Sequence, residues 1–229
     1  MQRKEAILLA ATEHFGRYGF RGASLRDIAR DAGVSLTLLN HHFGSKASLL
    51  SAAVDSHRRQ LEERSAALAA VQRAGAGTWG IHELVQAWVR SAAAHAATAD
   101  GRRFLQLVAR ISEDTSHEFD PEVQARVDAP ALAFTEALHR CRPEASRRAA
   151  ESACLWLRGA VSRFLLGAQR LSEPPSGDDV AVDIDQADES RLVSFLSAGI
   201  EAALDAPPTV SPASVIDAPH ATQESALAE

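Results

Sequence analysis

The 229 residues carry a net charge of −6 and are 46% hydrophobic and 24% charged, which admits one large domain or two modest ones and excludes wholesale disorder. The charge is divided unevenly: residues 1–60 hold nine Lys/Arg and five Asp/Glu, the rest fifteen and twenty-five, an asymmetry expected when a single module meets a polyanion. No apolar run approaches the roughly 18 to 20 residues that cross a bilayer, and the most apolar stretch, 153–168, is broken by Arg158 and Arg163.

Alanine, leucine, arginine and glutamate abound and no two-residue alternation stands out, so the expected class is all-α, with about nine helices. Leu8, Ala11, Phe15 and Tyr18 recur at steps that place them on one face of a first helix over 3–17. A short second helix starts at Ser24, an N-cap with Asp27 three residues on, and buries Leu25, Ile28, Ala29 and Ala32. Gly33 stops it. Ser35 then caps a third helix over 36–43 that Gly44 ends, and Ser45 caps a long fourth helix reaching about residue 71.

Beyond a small-residue loop at 74–78, helices are expected over 81–98, 102–113, 121–140, 144–171 and 188–205. Asp120-Pro121-Glu122 is a strong start signal: a cap, a proline at the first helical position and an acid at the positive end of the helix dipole. The acidic Pro/Gly stretch 172–188 reads as a loop, and 206–229, rich in Pro, Ala, Ser and Thr, as a disordered tail. The N-terminus shows no secretory signal, and Cys141 and Cys154 are the whole cysteine complement. Free thiols and a cytoplasmic setting follow, with no membrane partner.

Two short helices joined by a Gly-containing turn, inside the basic block, form a helix-turn-helix, whose second helix reads the major groove of double-stranded DNA. In the stretch GVSLTLLNHHFGSK, Leu36, Thr37, Asn40 and His41 fall on the outward side, and Val34, Leu39 and Phe43 on the inward side. Leu38 could take either. His41 and His42 do not suit a metal: neighbours on a helix point about 100° apart, whereas helical chelation uses i, i+4 spacing. GSKAS is not a phosphate loop, because the fifth residue before Gly44 is Leu39 rather than glycine. With no GxSxG, HExxH or paired-carboxylate constellation, no catalytic residue, cofactor or metal is expected, and the chain does not read as an enzyme.

The longer string FxxxGFRGASLRDIARDAGVSLTLLNHHFGSKASLL, within residues 5–52, resembles the N-terminal domain of the tetracycline-repressor (TetR) family of bacterial regulators. The resemblance implies a DNA-binding domain at 1–46 and a helical ligand-binding and dimerisation domain at 47–205. It places Ser24 and Arg26 against the DNA backbone or a groove edge. Ser35, Leu36, Thr37 and Leu38 fall at the start of the recognition helix. Asn40, His41 and His42 stand where the family touches phosphates, and Lys46 where it grips one from the fourth helix. Asn40 is a departure, since the family usually has tyrosine there. An amide can pair with adenine or donate to phosphate, and its late position in the helix favours phosphate. His42 could instead pack at the helix end.

In the C-terminal part the same resemblance implies a pocket for a small, largely apolar effector. The candidate lining is Trp88, His95, Arg103, Phe104, Leu107, Val108, Phe134 and Phe164, with Arg102 and Arg110 as further polar handles. The second half of helix 144–171 is apolar on more than one face, so it needs one partner inside the subunit and one outside. The expected homodimer uses a four-helix bundle of helices 121–140 and 144–171, with Leu138, Trp156, Gly159, Ala160, Arg163 and Gly167 at its interface. The expected function is a dimeric repressor that binds a near-palindromic, inverted-repeat operator and is released by the effector. The alternative is an architectural or activator-type DNA-binding protein without ligand control.

Overall fold

A computed structural model describes residues 3–74, 79–114, 118–167 and 186–205. The segment 168–185, most of the small-residue loop, and the tail at 206–229 lie outside the described residues. Among those described there are ten α-helices and no strand: α1 (Arg3–Gly22), α2 (Leu25–Asp31), α3 (Leu36–Phe43), α4 (Lys46–Ser56), α5 (Arg58–Arg73), α6 (Ile81–Ala96), α7 (Ala99–Glu113), α8 (Pro121–Cys141), α9 (Arg147–Gly167) and α10 (Gln186–Asp205). No described helix is long and apolar enough to cross a membrane.

The count exceeds the nine expected because the long fourth helix breaks at His57, whose backbone leaves the helical region at φ −110° and ψ 15°. Its buried ring stacks on Phe104 of α7 at 4.4 Å between centroids. One ring nitrogen lies 3.1 Å from the Ala53 carbonyl oxygen and the other 3.2 Å from the Asp100 carboxylate. The ring is thus held across to α7, and the expected continuous rod becomes two helices with a joint.

Two further expectations shift. On α1 the buried stripe is Ile7, Ala11 and Phe15, and Tyr18 is 52% exposed, lying at the stripe's edge with its ring 5.5 Å from that of His14. The helix also runs past Arg17, kinking at Gly19, whose φ of 71° favours glycine. The helix expected from residue 144 starts at Arg147, because the Ser146 hydroxyl accepts from the Ala149 amide at 3.1 Å and makes the cap.

The helices surround two apolar cores. The first joins Ile7, Phe15, Ile28 and Leu39 of the three N-terminal helices to Leu49, Leu50, Ala53 and Val54 of α4. The second gathers Leu68, Val85, Trp88, Phe134, Leu138, Leu157 and Ile200 from α5, α6, α8, α9 and α10. Helix α7 serves both: Phe104, Leu107 and Ile111 enter the first core, and Leu105 enters the second. Each fully buried Leu or Phe contributes roughly 1.5–3 kcal/mol of apolar transfer free energy, so a helix split between cores binds them into one body. Helix α1 lies so close on α7 that a Cβ at Gly16 would stand 3.2 Å from the Leu107 amide nitrogen.

Candidate nucleic-acid interface and the adjoining cavity

The helix-turn-helix is assembled by capping. The Ser24 hydroxyl accepts from the Asp27 amide at 3.4 Å and opens α2. Gly33, with φ 67°, makes the turn, and the Ser35 hydroxyl accepts from the Leu38 amide at 3.1 Å to open α3. Gly44 closes α3 with φ 72°, and the Ser45 hydroxyl accepts from the Ser48 amide at 3.0 Å to open α4. Each of these caps contributes about 1 kcal/mol. Leu39 and Phe43 are buried beneath α3 and fix its rotation. That rotation leaves Ser35, Thr37, Asn40, His41 and His42 exposed.

The remaining expected contacts divide. Leu36, expected outward, is half-buried against the first core, and Leu38 is half-buried. The rings of His41 and His42 lie edge-to-face at 5.8 Å, and His42 also leans on Phe43 at 6.2 Å. Arg26 is exposed, with no ion pair among the described residues. Arg30, one helical turn on, is spent on Asp27 at 2.6 Å and Asp31 at 3.1 Å. Lys46 is half-buried: its Nζ donates to the Arg21 carbonyl oxygen at 3.1 Å and sits 5.1 Å from the Phe20 ring centre. Burial lowers its pKa, with Glu118 opposing. Lys46 therefore ties the start of α4 to the end of α1 through one of its three ammonium donors.

The reading head is bolted to the body by polar contacts that its own sequence did not announce. Arg21 donates to Glu118 at 2.6 Å, and this guanidinium holds the Glu118 carboxyl below the usual carboxylate range. Arg126 of α8 reaches α4, donating to Asp55 at 2.9 Å and to Ser51 at 2.8 Å.

Behind the head a cavity of about 490 Å³ opens between α5, α6, α7 and α9. Of the residues expected in a pocket, Trp88 and Val108 line it, together with Leu105, Leu155, Val161 and Leu165. Phe104 and Leu107, expected in the pocket, are instead fully buried in the first core, because they lie on the side of α7 that faces α1. Phe134 is sealed in the second core, edge-on to Trp88 at 5.5 Å, and Phe164 packs against that core. The expected polar handles are elsewhere too. His95 pairs with Glu63 at 3.1 Å, Arg103 faces Glu13 at 3.6 Å, and Arg102 donates to the Ala96 carbonyl oxygen at 2.8 Å. Arg110 does line the cavity, beside Glu113.

Two arginines that sequence reasoning passed over complete the lining. Arg158 donates to Asp128 at 2.9 Å and to the Ser112 hydroxyl. Arg64 lies on α5 between Leu61 and Leu68, and all three are buried. An arginine on the inward stripe of a helix was a legible signal.

Of the residues expected at a dimer interface, Leu138 is fully buried in its own subunit. It is sealed in the second core, so it has no surface to offer. Trp156 is 58% exposed, Gly159 and Arg163 are exposed on the cavity rim, and Ala160 and Gly167 are half-buried. A further aromatic, Phe195 of α10, is 73% exposed.

Comparison with known proteins adds three findings. Residues 7–53 match the family model described as bacterial regulatory proteins, tetR family, and residues 86–199 match a tetracyclin repressor-like C-terminal domain. Among curated proteins, the chain is 47% identical over 70 residues to the HTH-type transcriptional regulatory protein RaaS of Mycobacterium tuberculosis, covering 31% of this chain and 32% of that one. It is 43% identical over 72 residues to the HTH-type transcriptional regulator BetI of Agrobacterium fabrum, covering 31% and 34%. These alignments span about a third of each relative's length. The fold as a whole is shared with solved structures. One is the ketosteroid transcriptional regulator KstR2 of Mycobacterium tuberculosis, with TM-score 0.57 and 17% identity over 87% of this chain and 94% of that one. Another is AibR, solved with isovaleryl coenzyme A and operator DNA, with TM-score 0.53 and 18% identity over 86% and 97%.

Proposed function

We propose, on the premise that the chain belongs to the tetR family of bacterial regulatory proteins and is a DNA-binding transcriptional regulator rather than an enzyme, that it is a dimeric repressor released from an inverted-repeat operator by a small effector. The observation that carries this reading is the exposed row of Thr37, Asn40, His41 and His42 on a helix whose rotation is fixed by buried Leu39 and Phe43. One such helix reaches only a half-site. Two of them, set roughly 34 to 36 Å apart by a two-fold axis, read adjacent major grooves. Thr37 reads a base edge, Asn40 and the histidines hold phosphates, and Lys46 adds a backbone contact from α4. The acidic body repels DNA and leaves the basic head as the docking surface.

The dimer is supported by the exposed aromatics Trp156 and Phe195, on α9 and α10. Open space around Gly159 and Gly199 on the same helices leaves room for a partner helix. The pairing surface is therefore α9 with α10, which takes the place of helix 121–140 in the bundle suggested by sequence.

The effector site is the cavity beside α5, and AibR, of the same fold, binds both operator DNA and an acyl coenzyme A. A ligand that fits better when α5 is displaced shifts the population toward head spacings that no longer match the grooves. Mobility shifts on the upstream region, with the inverted repeat and a scrambled version of it, test the reading. Thr37→Ala relaxes sequence preference by roughly 1–3 kcal/mol, whereas Lys46→Ala weakens all sequences alike and flattens the salt slope. Equal binding of repeat and scramble would overturn the proposal.

A further inference from the structure

We infer that the cavity beside α5 takes an organic monocarboxylate, an apolar body ending in a single carboxylate that closes on the Arg64 guanidinium. This rests on the reading of that cavity as the effector site and adds the chemistry of the effector. Arg64 is 6% exposed and lines the cavity. Its Nε is buried without an acceptor, and its described contact is a cation–π one, Cζ standing 5.3 Å from the Trp88 ring centre. A buried cation without an anion is strongly disfavoured, and an oriented counter-charge relieves it. Burial, with Arg158 close by, lowers the Arg64 pKa to about 10, so the group remains cationic at neutral pH.

The other guanidinium groups around it are accounted for differently. Arg158 is held by Asp128 and Ser112. Arg110 has Glu113 within 3.9 Å and the Arg17 carbonyl oxygen at 3.5 Å. Arg163 lies on the exposed rim. Four arginines against Glu113 give the lining a positive balance, but among the described residues Arg64 is the deeply buried one of the four without an acid. One inner positive charge calls for one negative charge, which disfavours cations and polyanions alike. The rest of the wall is Trp88, Leu105, Val108, Leu155, Val161 and Leu165, so the body of the ligand is apolar. A volume of about 490 Å³ suits a molecule of ordinary effector size. A bidentate carboxylate pair matches the guanidinium fork. Because Arg64 lies on α5, directly after the joint at His57, the pair forms on the helix that leads into α4.

The test uses the full chain without DNA and titration calorimetry with saturated fatty acids from hexanoate to tetradecanoate, and with the matching alcohols and amines. The acid of best-fitting length binds about tenfold or more tighter than its alcohol, and the amine binds weakest. Arg64→Met erases the acid's advantage and leaves the alcohol's affinity as it was. The variant melts at or above the wild-type temperature, since an unpaired buried charge has gone. Equal affinity of acid and alcohol in the wild type, a preference for amine, no binding across the series, or an acid preference that survives in folded Arg64→Met would each overturn the inference. Operator binding separates it from the broader reading. If the acid is preferred but does not release the operator, effector control through this cavity fails while the carboxylate site stands. If release occurs with a different class of molecule and acids show no preference, the carboxylate inference alone fails.

Discussion

Gly101→Ala probes the turn that carries the shared helix α7. A Cβ at Gly101 would stand 2.0 Å from the His95 carbonyl oxygen, 2.7 Å from its carbon and 2.9 Å from Thr98 Oγ1. The ends of α6 and α7 would have to part. That movement strains the Thr98 cap, which accepts from the Gly101 amide at 3.0 Å, and the bond from Arg102 to the Ala96 carbonyl oxygen at 2.8 Å. Overpacking costs roughly 1–3 kcal/mol, a weakened cap about 1 kcal/mol and a weakened charged hydrogen bond roughly 1 kcal/mol. Alanine's better helix propensity returns at most about 1 kcal/mol. The net expectation is a loss of about 2–4 kcal/mol, which for a chain of this size lowers Tm by roughly 5–15 °C. Because α1 rests on α7 at Gly16, operator and random DNA should weaken together at temperatures near the transition. Differential scanning calorimetry and a mobility shift check both outcomes. A Tm within about a degree of wild type would refute the claim that the backbone approach at this turn leaves no room for a methyl group.

Trp156→Glu combined with Phe195→Glu places charges on the two exposed aromatic positions and should convert a dimer to a monomer in sedimentation, with loss of operator binding and little change in helicity. The His95 imidazole has its pKa lowered, by burial first, with Glu63 opposing. A lowered histidine pKa means that the unfolded chain takes up the proton more readily. His95 therefore costs no stability above its unfolded value, near 6.5, and costs progressively more as pH falls below it. Thermal melts between pH 7.5 and 5.5 should fall more steeply for the wild type than for His95→Gln, and parallel curves would remove His95 from the account.

Local signals were legible where the chemistry is local. Ser24, Ser35 and Ser45 each cap the helix their position announces, and Gly33 and Gly44 turn the chain with positive φ. Leu39 and Phe43 face inward as their spacing requires. What sequence did not carry was the side of a helix chosen when two cores compete for it. Phe104, Leu107 and Val108 form one apolar band on α7, yet the band divides: the first two are sealed against α1, and Val108 reaches the edge of the cavity. The fourth helix had unbroken helical propensity through residue 57, and the ring of Phe104 and the carboxylate of Asp100, distant in sequence, hold His57 at the break there. Arg64 was readable in outline, as an arginine between Leu61 and Leu68. What the pattern could not say was that no acid among the described residues would meet it.

On the proposed function, these placements constrain how a ligand in the cavity would act on the DNA-binding helices. The head shares its apolar core with α7 and is pinned to the body at Arg21–Glu118 and Arg126–Asp55, so swinging it as a free unit would open that core. A displacement of α5 starts at the joint and costs less apolar packing there, Leu61 being the residue near its start that enters the first core. The joint at His57 is a stacked ring held by contacts of 3.0 to 3.2 Å to Ser56, Ala53 and Asp100, and a stacked ring can slide at smaller cost than an apolar core can open. At the other end of α4, Lys46 grasps the Arg21 carbonyl oxygen, at the close of α1 and beside the helix-turn-helix. A ligand drawing on Arg64 would thus tilt α4 between two polar fastenings. Leu49, Leu50, Ala53 and Val54 of α4 sit in the head's own core, so the tilt would carry the head along and strain its packing on α7.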